Sequence, residues 1–151
     1  MNQVVVKQEK SGYQIVEAYK SLRTNLQFCG EDKKVIAITS CTPNEGKSSV
    51  SMQLGISLAE IGKRVILIDA DLRKSVLLGR TKTEKSVRGL AHFLSGQASL
   101  EDVICATNIK NFYMIYSGPF PPNPAELLGG KNFRSLLNAL RKVYDLSLIH
   151  I

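Results

Sequence analysis

A three-layer α/β/α fold around a mostly parallel sheet is the architecture this sequence predicts, and three stretches carry the prediction. Residues 35–39 (VIAIT) form a short apolar, β-branched run of the kind that makes a buried strand. Beyond the loop that follows, Val50, Leu54, Leu58 and Ile61 recur at helical spacing. Residues 65–68 (VILI) are a second unbroken apolar run, the pattern of a parallel strand covered on both faces.

The loop between the first strand and the helix, residues 39–50 (TSCTPNEGKSSV), contains Gly46-Lys47-Ser48. Strand, loop ending in Gly-Lys-Ser, then helix is the arrangement of a P-loop, so the fold expected is that of a SIMIBI-like P-loop NTPase. Its chemistry follows from geometry. Amide N–H groups in the loop, and those left unpaired at the helix N-terminus, converge on an anion. Lys47 can reach the outer phosphates, the Ser48 hydroxyl can bind Mg²⁺, and Gly46 lets the backbone approach a phosphate closely. The strict pattern has glycine six positions before the lysine, where this chain has Cys41. Asn44 stands where a second glycine often sits, and Asn tolerates positive φ. The plain alternative is an ordinary strand–turn–helix with a fortuitous Gly-Lys-Ser.

The 151 residues amount to about one domain, and an apolar fraction of 44% is enough to build a core. No apolar run approaches the ~20 residues of a membrane span. The first ten residues (MNQVVVKQEK) are too polar for a signal peptide. Cys29, Cys41 and Cys105 form no CxxC pair, which argues against a disulfide framework or a zinc site and fits a reducing cytoplasm. Twenty basic against 13 acidic residues give a net charge of +7. The basic residues are dispersed without a long run or an aromatic-interleaved strand, so the charge does not read as a nucleic-acid site.

Element by element, residues 1–12 read as a flexible arm, with residues 4–6 able to extend against a neighbouring surface. Residues 13–28 turn helical, with Val16, Tyr19, Leu22 and Leu26 as one apolar stripe. Glu17, Lys20 and Arg23 recur every third residue and can act as one charged patch or form a solvated face. Gly30 ends this helix, and Gly62 ends the one after the P-loop. Asp69 and Asp71 follow the second strand at its C-terminal end, where ligands bind in open parallel sheets. Beside a triphosphate, two such carboxylates suit Mg²⁺ coordination through water or acceptance of a hydroxyl proton. The structural alternative is a helix cap and a surface aspartate.

Residues 77–84 are a polar connection. Residues 90–94 read as a short helix broken by Gly96, residues 100–103 as another turn, and residues 111–116 (NFYMIY) as the third strand. Four prolines between 119 and 124 make a rigid loop, with Pro124 as a first-turn residue of the next helix and Asn123 capping it. Phe133, Leu136, Leu137 and Leu140 form a last amphipathic stripe.

The segments EAYKSLRTNLQF (17–28), TSCTPNEGKSS (39–49), VILIDADLR (65–73) and SGPFPPNPAELL (117–128) occur in this order. Together they resemble the bacterial tyrosine kinases of capsular and extracellular polysaccharide synthesis, in the type whose membrane-spanning activator is a separate protein. That family's P-loop commonly lacks the leading glycine, so the resemblance accounts for Cys41. It implies ATP and Mg²⁺, with Thr42, Pro43, Asn44, Glu45, Gly46, Lys47, Ser48 and Ser49 around the nucleotide. Lys47, Asp69 and Asp71 are the implied catalytic residues; Ser48, Asp69 and Asp71 are the implied metal residues. Glu17, Lys20 and Arg23 fall on the family's oligomer contact, with Lys20 in place of an arginine fork. Also implied are a ring-shaped homo-oligomer, protein tyrosine substrates, no nucleic acid, and a cytoplasmic location held to the membrane's inner face by the activator. Ser75 stands where a proline is common, with little consequence expected.

The end of the chain departs from the family. His150 stands where the resemblance places a metal-binding aspartate, and His is a poor substitute for a carboxylate on Mg²⁺. LSLIHI (146–151) also looks like the translated end of a transposon-type sequencing adaptor. The expectation is therefore a kinase domain over residues 13–145, a non-native tail over 146–151, a truncated frame without the family's tyrosine cluster, and an inactive fragment with an unfinished pocket. Two other functions fit the same fold: a nucleotide-switched partition ATPase and a non-catalytic ATP-binding regulator of polysaccharide export. The partition proteins usually carry a lysine where Thr42 stands.

Overall fold

The computed structural model describes residues 1–8, 11–42, 46–73, 75, 77, 81–82 and 87–151. In chain order its elements are β1 (Asn2–Val6), α1 (Tyr13–Phe28), β2 (Val35–Ile38), α2 (Lys47–Glu60), β3 (Val65–Asp69), β4 (Thr81–Lys82), α3 (Leu90–Leu94), α4 (Leu100–Val103), β5 (Cys105–Thr107), β6 (Phe112–Ile115), α5 (Pro124–Leu128), α6 (Lys131–Val143) and β7 (Leu146–His150). The strands form one seven-stranded sheet in the order β2-β7-β3-β6-β5-β1-β4. From β2 through β7 and β3 to β6 the strands run parallel, as do β5 and β1; β5–β6 and β1–β4 are antiparallel.

Side-chain alternation along β3 makes the layers. Val65 and Leu67 share a core cluster with Met52, Leu54 and Leu58 of α2. Ile66 and Ile68 join Leu90 and Leu94 of α3 and Leu136 and Leu140 of α6 on the other side. With helices on both faces, β3 is buried at every position, which is why its sequence is an unbroken apolar run. A Cβ on Gly55 would sit 3.2 Å from the Phe112 ring, so glycine lets α2 lie close against β6.

The arm expected over residues 1–12 is in part a strand. β1 pairs with β5 from Asn2 opposite Cys105 to Val4 opposite Thr107. Val4 and Val6 are buried, and the Val6 amide donates to Asn108 Oδ1 at 2.7 Å. What orders the segment is the free edge of β5, a partner 103 residues away that local pattern does not reveal.

A second correction concerns the chain's end. The pocket expected to be unfinished beyond Asp145 gains a strand there: residues 146–150 form β7, filling the slot between β2 and β3. Its register runs from Leu146 opposite Val65 to His150 opposite Asp69. The physical reason is simple: β2 and β3 each present an unpaired edge there, and an apolar pentapeptide satisfies both. Leu148 joins the α2 side of the core and Ile149 the α6 side.

Helix α1 has the expected bounds but no buried residue. Val16 and Leu22 of its apolar stripe are exposed, because nothing among the described residues covers them. Pro124 is the first residue of α5 as expected; Asn123 precedes it without a side-chain cap, its amide reaching Glu126 Oε2 at 3.4 Å instead. Among the described residues no helix is long and apolar enough to cross a membrane.

Candidate functional site

The C-terminal ends of β2, β7 and β3 lie side by side, and the loop leaving β2 carries the chain to α2. Pro43, Asn44 and Glu45 lie outside the described residues. Thr42 is exposed, and its carbonyl accepts the Ser40 hydroxyl at 3.0 Å. Gly46 has φ 82°, a left-handed conformation that favours glycine, and from it α2 starts at Lys47. The first helical bond joins the Val50 amide to the Gly46 carbonyl at 2.9 Å. The amides of Lys47, Ser48 and Ser49 therefore precede the ladder and face outward at the positive end of the helix dipole. Among the described residues, no acidic residue of the first turn and no side-chain cap competes for them. This end of α2 suits a phosphate.

Asp69 closes β3 and is fully buried. Its Oδ1 accepts the Asp71 amide at 3.1 Å, and its Oδ2 accepts the Ser75 hydroxyl. His150, across the β3–β7 register, places Nδ1 3.3 Å from Asp69 Oδ1 and Nε2 2.9 Å from Ser48 Oγ. The carboxylate favours the proton on Nδ1, which leaves Nε2 to accept the Ser48 hydroxyl. Lys47 donates from Nζ to the Ile151 carbonyl. The last two residues thus meet both P-loop side chains. Asp71 is half-buried just past the strand end, and Ser49 is half-buried in the first turn of α2.

Of the expected site residues, Ser48 and Asp69 meet through His150, and Lys47 reaches Ile151 beside it. The structure also adds three residues that sequence reasoning missed: Ser75, expected to matter little, which holds Asp69; His150, set aside with the tail; and Ile151. For His150 the signal was its position rather than its type, since it stands where the resemblance places an aspartate. The expected oligomer residues divide. Glu17 and Lys20 form an exposed ion pair at 3.3 Å, whereas Arg23 donates from Nη1 to the Ser57 carbonyl and hydroxyl, at 2.9 and 3.1 Å.

The Mg²⁺ implied on Ser48, Asp69 and Asp71 meets a misfit here. Both Asp69 oxygens accept hydrogen bonds within the protein, and an imidazole nitrogen faces Ser48 where Mg²⁺ would call for oxygen. Among the described residues, no three His, Cys, Asp or Glu side chains form a metal-holding group. As for tyrosine acceptors, Tyr116 and Tyr144 are buried and Tyr13 is 78% exposed. Burial pushes the Tyr116 hydroxyl up to about 12, opposed by its bond to Thr81.

A family described as "AAA domain" matches residues 33–150. Tyrosine-protein kinase CpsD of Streptococcus agalactiae is 42% identical over 133 residues, which is 88% of this chain and 58% of that protein. The kinase domain of Escherichia coli tyrosine kinase ETK superposes with a TM-score of 0.82 at 36% identity, covering 89% of this chain and 53% of that one. The septum site-determining protein MinD of Pyrococcus horikoshii, solved with Mg-ADP, gives a TM-score of 0.64 at 28% identity, covering 78% and 48%. The chain spans a little over half the length of the streptococcal and Bacillus subtilis relatives it matches.

Proposed function

We propose that this chain is the nucleotide-binding part of a protein-tyrosine kinase, and the premise is one of kinship: the chain belongs to the AAA-domain family, among the bacterial tyrosine kinases. The observation that carries the reading is the N-terminus of α2, with Gly46, Lys47 and Ser48, set beside the carboxylate end of β3. ATP is the substrate that suits it. The outward amides and Lys47 hold its phosphates, with residues 42–49 around them, and Lys47 offsets charge on the transferring group. In the transfer a tyrosine oxygen attacks the γ-phosphorus, the bond to the bridging oxygen breaks, and ADP leaves. Burial divides the two carboxylates. Asp69, enclosed and hydrogen-bonded through both oxygens, positions its surroundings; Asp71, partly open, takes the hydroxyl proton.

In the full-length protein this activity would serve capsular or extracellular polysaccharide synthesis. The partners are a transmembrane activator and a ring of like subunits meeting through Glu17 and Lys20, and the location is the cytoplasmic face of the membrane. The partition-ATPase reading has less behind it. Its relative superposes less closely, and Thr42 stands at that group's lysine position. Residues 146–151 are read as an adventitious hexapeptide in the place of the family's own strand. Amplifying the locus from genomic DNA tests this, and a continuous LSLIHI in the gene would refute it.

The kinase reading is tested with the uninterrupted gene expressed alongside its activator's cytoplasmic segment. Labelled ATP should yield phosphotyrosine, and Lys47→Met should abolish it. No phosphotyrosine from the intact pair would end the kinase reading.

A further inference from the structure

Helices α1, α2 and α6 all finish at the end of the sheet where β2, β3 and β7 begin, opposite the P-loop. Each finishes at or beside an exposed apolar side chain: Phe28 is 85% exposed, Ile61 39% and Val143 53%. A single cleft is lined by Leu26 and Gly30, which bracket Phe28 in sequence, and by Lys34, Lys63 and Asp145, so the three helix ends converge. Basic residues stand among the apolar ones: Lys33 and Lys34 after α1, Lys63 and Arg64 after α2, Arg141 and Lys142 in the last turn of α6. Lys110, in the turn ahead of β6, joins them, since the neighbouring Asn111 carbonyl accepts the Val65 amide at 2.8 Å.

Acidic partners leave most of this charge free. Asp32 pairs with Lys33 at 3.0 Å, Asp145 accepts the Arg64 amide at 2.7 Å, and the Arg64 guanidinium lies over the Tyr113 and Tyr144 rings. Lys34, Lys63, Lys110, Arg141 and Lys142 have no ion pair among the described residues, against Glu31 and Glu60 with none. Apolar tips set among unpaired cations match the boundary of an anionic bilayer, where rings and aliphatic groups enter the headgroup layer and lysines meet phosphate. An acidic protein would meet the cations but would need a fitted pocket for each apolar tip. A bilayer accepts separate tips without shape complementarity.

We infer that this end of the molecule rests directly on an anionic lipid surface, with Phe28, Ile61 and Val143 in the headgroup layer and Lys34, Lys63, Arg141 and Lys142 on the phosphates. No residue of 146–151 takes part. The P-loop lies at the opposite end of the sheet and faces away from the lipid, so this contact does not depend on nucleotide binding.

The test floats the 151-residue chain with vesicles of phosphatidylcholine, alone or mixed with phosphatidylglycerol. The chain should float with the anionic vesicles and not with the neutral ones, and binding should fall as salt rises toward about 0.5 M. Arg141→Gln with Lys142→Gln should weaken binding about tenfold or more. Lys131→Gln with Arg134→Gln removes the same charge from the other end of α6, about 10–15 Å away and beyond the Debye length, and should change binding less than about threefold. Equal loss from the two pairs would trace binding to net charge alone and overturn the inference, as would no flotation. A second readout follows because the chain has no tryptophan. Emission from Phe28→Trp should shift to the blue on anionic vesicles and be quenched by brominated acyl chains. Phe120→Trp, on the loop leaving the P-loop end of β6, should emit as in water. An unquenched Phe28→Trp, or a Phe120→Trp quenched as strongly, would overturn the inference. Retention on immobilised polyglutamate without flotation would assign the face to an acidic protein and overturn it too.

Discussion

Arg64 sits where β7 enters the sheet, and its backbone and side chain both act there. Its carbonyl accepts the amides of Asp145 and Leu146, at 2.8 and 3.3 Å, and its own amide donates to Asp145 Oδ2 at 2.7 Å. The guanidinium lies 5.3 Å from the Tyr113 ring centroid and 5.1 Å from that of Tyr144. Exposed cation–π contacts contribute roughly 0.5–1 kcal/mol each, so Arg64→Ala should cost about 1–2 kcal/mol in urea unfolding. Arg64→Lys should cost less. A second residue-scale outcome concerns alkali. Burial raises the Cys105 thiol from 9.0 to about 11 and the Tyr116 hydroxyl from 10.0 to about 12. Both folded values exceed the unfolded ones, so the stability these groups contribute is full below pH 9. It is lost as pH rises through about 11 and then about 12. The urea midpoint should therefore fall steadily above pH 9; a flat profile to pH 11 would contradict this.

At the scale of elements, length and period decide what sequence reveals. The long stripes of α2 and α6 and the apolar run of β3 are plain in the residues. β4 and β5, with two and three residues, are too short for any period to show and exist because neighbouring edges accept them. β1 and β7 share that cause: each is ordered by a partner far away in sequence, so one reads as an arm and the other as a tail. The same blindness hid His150 from the candidate site, whereas Gly46, Lys47, Ser48 and Asp69 were legible because loop chemistry and strand ends are local signals. Helix α1 gives a prediction here. With no buried residue, it is held partly by the two Arg23 bonds to Ser57. Arg23→Ala should speed amide exchange along α1 and cost about 1.5–3 kcal/mol, the range for hydrogen bonds to charged groups. Lys20→Ala removes only an exposed ion pair and should change stability by less than about 1 kcal/mol.

Across the whole molecule, the strand that launches the P-loop is also the open edge of the sheet. β2 stands first in the strand order and, among the described residues, pairs on one side only, with β7. Its sequence, VIAI, carries no lysine, proline or bulge of the kind that blunts an edge, and Ala37 is exposed. Val35, Ile36 and Ile38 are only half-buried, so an apolar run suited to coverage on both faces is incompletely covered among the described residues. An edge of this composition is a template for another strand, and here the readiest one is β2 of a second copy. The net charge of +7 opposes that pairing at low salt. Salt screens the repulsion over about 8–10 Å near physiological strength, so association should increase with ionic strength. Sedimentation velocity on the 151-residue chain should show dimers and larger species growing between low salt and about 0.5 M, at which the Debye length is only a few ångströms. Ala37→Lys places a charge on the exposed edge and should suppress that growth, with unfolding stability unchanged within about 0.5 kcal/mol. If association persisted in the variant, the exposed apolar face of α1 would be the contact instead, and the β2 edge would be protected by something other than its own residues.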